Sequence, residues 1–294
     1  MSIQVRFAPV RFAVVLFGFA AFVCAQDRGT ITGTITDPGN ASVPDAQVTV
    51  KNAATGLTQN AKTGADGIYS VPYLPVGSYS VVVDKPGFRK ANANDVRVQV
   101  NTTARLNVTL TLGSVDQTVE VTAAQPLLST EGSNLGKVMP TKAILDLPLF
   151  INGGLRSTTA FVILTPGVVG SQSNPRIGGG LLDGQSEYLD GAESQSQRRN
   201  DPGMNGISVE AIDEFKVQSS SYSAEYGRMS NGIINWATKS GTNGLHGSVF
   251  EFFRNEKLDA RGFTLGPGVR GERRQNNPGF SVGGPVVLPK IYDG

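Results

Sequence analysis

Val96-Arg97-Val98-Gln99-Val100 and Leu106-Asn107-Val108-Thr109-Leu110-Thr111-Leu112 set an apolar residue against a polar one at every step. A period of two marks a strand with one face buried and the other in water. A helix would repeat its apolar residues every three or four positions. Working outward, the same alternation runs through Tyr79/Val81/Val83 and Val48/Val50, and Ile31 and Ile35 flank Gly33. Turn-forming clusters separate the runs: Asp37-Pro38-Gly39, Thr55-Gly56, Gly64-Ala65-Asp66-Gly67, Leu74-Pro75-Val76-Gly77 and Lys85-Pro86-Gly87. About seven short strands at this spacing, between Gly29 and Leu112, predict a β-sandwich.

The whole chain agrees with a mainly β fold. Its 294 residues include 36 Gly, and charged residues make up 17%. With 26 Lys+Arg against 24 Asp+Glu, the charge is too balanced for a protein that wraps nucleic acid, and the sequence is too apolar for general disorder. One Cys excludes a disulfide framework or a cysteine-rich zinc site, and one His excludes a multi-histidine metal centre, so no metal or cofactor is implied. No G-x-S-x-G elbow, Walker A loop or H-E-x-x-H is present. Gly178-Gly179-Gly180 reads as a loop, Asp183, Glu187 and Asp190 as a solvated turn face, and His246 as structural. No catalytic residue is assigned, and the expectation is a protein that is not an enzyme.

The amino terminus reads as an export signal. Arg6 and Arg11 precede an unbroken low-polarity run from Phe12 to Ala25, with Val23 and Ala25 at the −3 and −1 positions before Gln26. Fourteen residues of helix reach about 21 Å, short of a hydrocarbon core of about 30 Å. Cleavage is therefore expected between Ala25 and Gln26; a lipid anchor on Cys24 is disfavoured by bulky Phe22 and Val23. Losing Arg6 and Arg11 leaves 24 basic residues against 24 acidic, with no thiol.

Three blocks within residues 27–112 carry a family likeness. Pro44-Asp45-Ala46-Gln47-Val48-Thr49-Val50, Thr63-Gly64-Ala65-Asp66-Gly67-Ile68-Tyr69 and Leu74-Pro75-Val76-Gly77-Ser78-Tyr79 together resemble the carboxypeptidase regulatory-like domain. The resemblance implies a transthyretin-like or carbohydrate-binding-like sandwich. Tyr69, Tyr73 and Tyr79 are the aromatics available for stacking on a sugar, although alternation puts Tyr79 with the core valines; a structural spacer is the plainer role. Across the linker of residues 113–125, Gln117-Thr118-Val119-Glu120-Val121-Thr122-Ala123 resembles the TonB box of outer-membrane transporters. An extended, β-branched, proline-free segment can add as a strand to a partner's sheet edge. The plainer alternative is a last sandwich strand or a tether. The implied partner is TonB, the inner-membrane energy-coupling protein.

Residues 126–243 resemble the plug of TonB-dependent receptors, an α+β unit. The likeness rests on Tyr188-Leu189-Asp190-Gly191, Val209 to Val217 with Glu214, Ala224-Glu225-Tyr226-Gly227, Asn231-Gly232-Ile233-Ile234-Asn235 and Thr238-Lys239. Asn231 and Trp236 depart from the family pattern. Two short helices are expected, at Thr141–Leu147 and Thr158–Leu164. From 244 onward, Gly247 to Arg254 and Gly279 to Leu288 alternate about an Arg-rich loop, as the first hairpin of an outer-membrane barrel would. Phe250 and Phe252 share one face of the first run; Phe280, Val282, Val286 and Leu288 align in the second. Asn276 to Val286 resembles the start of the Oar-like transporter barrel. Two strands do not close a barrel, so these residues are expected to be a truncated product or a fragment of a longer chain. The resemblance implies uptake across the outer membrane, with membrane lipid around the intact barrel and a glycan, siderophore or peptide as substrate. The alternative is a secreted carbohydrate-binding or adhesive β-protein.

Overall fold

The computed structural model describes residues 28–113, 118–122, 135–140, 143–144, 151–152, 155–156, 158–171, 174–181, 184–194, 207–220, 222, 226–227, 230–258, 274–288 and 292–293. The export signal, Gln117, Ala123 and most of the expected Thr141–Leu147 helix lie outside the described residues.

Nine strands form the amino-terminal unit: β1 (Gly29–Thr36), β2 (Gln47–Asn52), β3 (Thr58–Lys62), β4 (Ile68–Leu74), β5 (Gly77–Asp84), β6 (Lys90–Val98), β7 (Thr103–Arg105), β8 (Val108–Thr109) and β9 (Thr118–Thr122). They make two sheets. One runs β4-β1-β7, with β8 also on β1; the other runs β3-β2-β5-β6-β9. Alternation dictates the packing. Ile31 and Ile35 from the first sheet meet Val48, Val50, Tyr79, Val81, Val83, Val96 and Val98 from the second in one buried core. β2 and β5 pair Val48 with Val83 and Val50 with Val81, so each rung adds two apolar side chains to the same face. A bulge carries the alternation past Asp95 (φ 57°), so that Ala91 and Ala93 before it and Val96 and Val98 after it all face inward. The alternation ends before Leu112, which is 68% exposed.

The central unit is a five-stranded mixed sheet in the order β10-β17-β18-β15-β16: β10 (Leu135–Pro140), β15 (Gln185–Leu189), β16 (Ala192–Glu193), β17 (Ile212–Ser220) and β18 (Gly232–Thr238). Four shorter strands, β11 (Ile151–Asn152), β12 (Leu155–Arg156), β13 (Val168–Ser171) and β14 (Asn174–Ile177), form two small hairpins. β15 and β18 are parallel, and the other pairs of the sheet are antiparallel. Register sets the two faces. Val217, Ile234 and Glu187 stand in one row, and Phe215, Trp236 and Leu189 in the next. This face packs on Ile144, Phe161, Val162 and Ile177. Phe215 stacks 4.6 Å from Trp236. The expected helix at Thr158–Leu164 is present as a 3₁₀ helix, and its Phe161 supplies part of this core.

β19 (His246–Asn255) and β20 (Arg274–Gly283) pair over ten residues, and β21 (Val287–Leu288) pairs with β22 (Tyr292–Asp293). The hairpin register corrects the expected apolar face. Val249 lies opposite Phe280 and Gly247 opposite Val282, with Phe253 on the same side. Val249 is 88% and Phe280 76% exposed. Phe250 and Phe252 occupy the other side, with Ser248, Ser281 and Asn277. Their rings lie 5.5 Å apart. Phe250 covers Gly279, where a Cβ would fall 2.3 Å from the ring. Among the described residues no helix is long and apolar enough to cross a membrane.

Candidate functional site

Thr118–Thr122 is the outermost strand of the larger sandwich sheet. β9 runs parallel to β6, pairing Lys90 with Thr118 and, in step, Asn94 with Thr122. It has β6 on one side and stands at the end of the sheet order, which leaves the backbone groups of its other edge without a strand among the described residues. The segment is thus a last sandwich strand, the plainer alternative from the sequence, and its outer edge has no strand beside it among the described residues.

Several plug-motif residues converge. Asp190 (φ 48°) and Gly191 (φ 86°) form a two-residue turn with positive φ at both positions, joining β15 to β16. The Asp190 carboxylate accepts from Thr238 N–H at 2.9 Å and Thr238 Oγ1–H at 2.8 Å, tying the turn to the end of β18. Lys239 N–H donates to Ala211 O at 2.8 Å and fixes the next residue to the base of β17. Gly232 lies against Ile177. Gly227 is exposed with open space where a side chain would stand.

Glu214, Asn235 and Tyr226 gather on the second, polar face of the sheet. Lys216 lies opposite Asn235, and Asn235 opposite Tyr188. The Tyr226 ring sits edge-on to Tyr188 with centroids 5.1 Å apart. This face meets the sandwich at the turn after β6. Val100 N–H donates to Glu214 Oε1, and Arg97 reaches Glu214 Oε2 at 3.8 Å. Lys216 Nζ donates to Asn101 O at 2.6 Å, and Asn101 Nδ2 donates to Tyr226 Oη at 2.7 Å. Val76, Val100 and Ala237 bury a small apolar patch beside these contacts. Asn243 adds two bonds to the β2–β3 turn, N–H to Ala54 O at 3.1 Å and Nδ2 to Thr55 O at 2.9 Å. Burial pushes the Glu214 carboxyl up to about 7, against the opposing pull of the Val100 N–H, Arg97 and Lys216.

Two expectations are corrected here, for Glu187 and Tyr69. Glu187 is fully buried on the apolar face, not part of a solvated turn, and neither of its oxygens finds a hydrogen-bond partner among the described residues. Burial alone pushes its carboxyl up to about 7. Tyr69 is a core residue whose hydroxyl donates to Leu106 O at 2.8 Å. Tyr79 is also in the core, as alternation requires, and its hydroxyl donates to Pro75 O at 2.7 Å. Of the three tyrosines considered for sugar stacking, Tyr73 alone is outside, 69% exposed at φ 61°. Asn231 is a departure from the family pattern by sequence. Here it holds the Gly-rich loop by accepting from Leu181 N–H at 3.1 Å and donating back to Leu181 O. Sequence reasoning missed Arg97, Asn101 and Lys216 at the contact between units. His246, at the start of β19, bonds locally to Thr242 and Gly244, and no group of three metal-ligating side chains occurs among the described residues.

Comparison with known proteins follows this division. The carboxypeptidase regulatory-like domain matches residues 30–111, and an outer membrane beta barrel domain matches residues 237–292. Among solved structures, the TIE protein of Bacillus anthracis (22% identical, 29% of this chain and 17% of that one, TM-score 0.25) and the pilus 2b backbone protein of group B streptococcus (23%, 29% and 42%, TM-score 0.23) overlap too weakly to add to the fold described. The TonB-dependent transporter Oar of Myxococcus xanthus is 28% identical over 296 residues, 95% of this chain, which spans 27% of that relative's length. The chain is thus a distant homologue of a TonB-dependent transporter, mainly β, with a regulatory-like sandwich at one end and an outer-membrane barrel sequence at the other.

Proposed function

We propose that this chain supplies the amino-terminal part of a TonB-dependent outer-membrane transporter: an exported sandwich, a docking strand, a plug and the first barrel hairpin. The order of parts carries the reading. An open-edged strand, β9, lies between the sandwich and a sheet built from the Asp190-Gly191, Glu214, Tyr226 and Thr238 motifs, and a hairpin with an apolar outer face follows. In this reading β9 offers its free N–H and C=O groups to an edge strand of TonB. The central sheet fills a barrel lumen. Val249, Phe253, Phe280 and Val282 face lipid, with Glu251 the charged member of that row, while Phe250, Phe252 and the serines face inward. Traction on the docking strand then reaches the plug, whose rearrangement admits substrate. The chain's part is mechanical and not catalytic.

Binding of a synthetic peptide of residues 113–125 to a TonB carboxyl-terminal domain tests the docking step. Val121→Pro removes a donor and bends the strand, and is expected to weaken binding by about tenfold or more. Equal affinities for the two peptides would return the segment to the role of sandwich edge.

A further inference from the structure

Two side chains at alternate positions of one strand grip a single turn of another unit. On β17, Glu214 takes the N–H of Val100, and Lys216, two residues on, gives a hydrogen bond to the carbonyl of Asn101. Asn101 is held in the left-handed region (φ 47°), and its amide is pinned from the other side by Tyr226. A donor and an acceptor of adjacent residues are thus both satisfied by the neighbouring unit. Glu214 is fully buried, and its Oε2 has no hydrogen bond among the described residues. We propose that the sandwich is held on the central sheet by a clasp at the Gln99–Thr102 turn, and that closing it takes up a proton at Glu214.

The charges around Glu214 set the direction. Arg97 from β6 approaches at 3.8 Å but is itself partly in water, so it offsets little of the burial. Asp213 on the same strand opposes ionisation, and Lys216 favours it while committed to Asn101. Opposite Glu214 the flanking strands place Pro140 of β10 and Ala237 of β18, neither titratable, and Lys137 of β10 stands opposite Val217. Separation of the units would return the carboxyl to water. With the closed-state group titrating at about 7 and the open-state group at 4.5, the closed form holds the proton more tightly. Closure is therefore favoured in acid, and is weakened as pH rises from 4.5 to 7.

Trp236, the one tryptophan in the sequence, lies in the central core and is an energy-transfer donor that needs no engineering. An acceptor dye is placed on Leu57→Cys, beside the turn that Asn243 contacts, in a full chain carrying Cys24→Ser. Between pH 5 and pH 8 the closed-to-open ratio is expected to fall on the order of 50-fold, read as loss of transfer. Glu214→Gln should keep transfer high and flat, Glu187→Gln should leave the pH response in place, and Lys216→Met should lower transfer at every pH. The Trp236 emission maximum reports whether each variant keeps its core. Transfer in the parent chain that does not change between pH 5 and 8, or a Glu187→Gln chain that loses the response, would overturn the proposal whatever Glu214→Gln does.

Discussion

Replacing Glu187 by Gln tests whether the central core carries a carboxyl that is neutral when folded. Glu187 stands on β15 in the row of Ile234 and Val217, beside that of Trp236 and Phe215. Nothing among the described residues donates to it, and burial raises it to about 7. In the unfolded chain it titrates near 4.5. Below 4.5 both states hold the proton and the group is neutral in each. Between 4.5 and 7 the unfolded chain releases its proton and the folded one does not, so stability falls as pH rises through this window. The full loss is about 3 kcal/mol, and most of it falls between pH 5 and pH 8. Gln has nearly the same shape and no titration. Its packing offset is the same at both pH values, so the difference between variant and parent isolates the proton. Urea unfolding of the full chain, followed by Trp236 fluorescence, reads this core alone. Relative to the parent, Glu187→Gln should gain about 2–3 kcal/mol on going from pH 5 to pH 8. Parallel pH profiles for the two chains would refute the reasoning, and would mean that the carboxylate is charged and partnered at all pH values.

Tyr69→Phe removes the bond to Leu106 O, and should cost the sandwich about 1–2 kcal/mol, measured by hydrogen exchange of β4 amides. Asp190→Ala removes both bonds to Thr238 and a residue suited to positive φ; a loss of about 2–3 kcal/mol in Trp236-detected unfolding is expected. Gly279→Val places a branched side chain in the Phe250 ring and should disrupt the β19–β20 pairing, seen as loss of amide protection in the hairpin in detergent. A chain ending at Asn243 should stay monomeric by light scattering at concentrations where the 294-residue chain associates, because Val249, Phe253, Phe280 and Val282 form an exposed apolar sheet face.

The sandwich was legible because its strands are half-buried, and half-burial writes a period of two. Val48, Val81, Val98 and Val108 all lie where alternation puts them. The pattern failed where geometry broke the period. The bulge at Asp95 hid Ala91 and Ala93, and Tyr69 is a core residue because its hydroxyl finds a carbonyl, which composition does not reveal. In the central unit the motifs located Asp190-Gly191 and Thr238, since a two-residue turn with positive φ has few sequence solutions. Glu187 was misread because a charged residue near a turn is ordinarily solvated. Nothing local announces that β18 will lie beside β15 and put Ile234 and Trp236 around it. The contact between units was invisible for the same reason: Arg97, Asn101 and Lys216 look like surface residues until two distant segments meet. On the hairpin, alternation found the strands, but which face is apolar follows from their relative register.

The strand order also fixes a schedule for folding. Every pairing in the sandwich lies between Gly29 and Thr122, so its core can close as soon as that stretch is free. The central sheet instead waits for its last member: β10 near Leu135 needs β17, and β15 has no neighbour in the body of the sheet until β18 is complete at Thr238. Pairings of such long sequence separation form slowly, and chains delivered from one end acquire their first unit first. For much of its maturation the polypeptide is therefore a finished sandwich trailing an open segment that contains Phe161, Phe215 and Trp236. It is during this interval, before the Gln99–Thr102 turn has anything to hold, that escorting factors and proteases would find their opportunity.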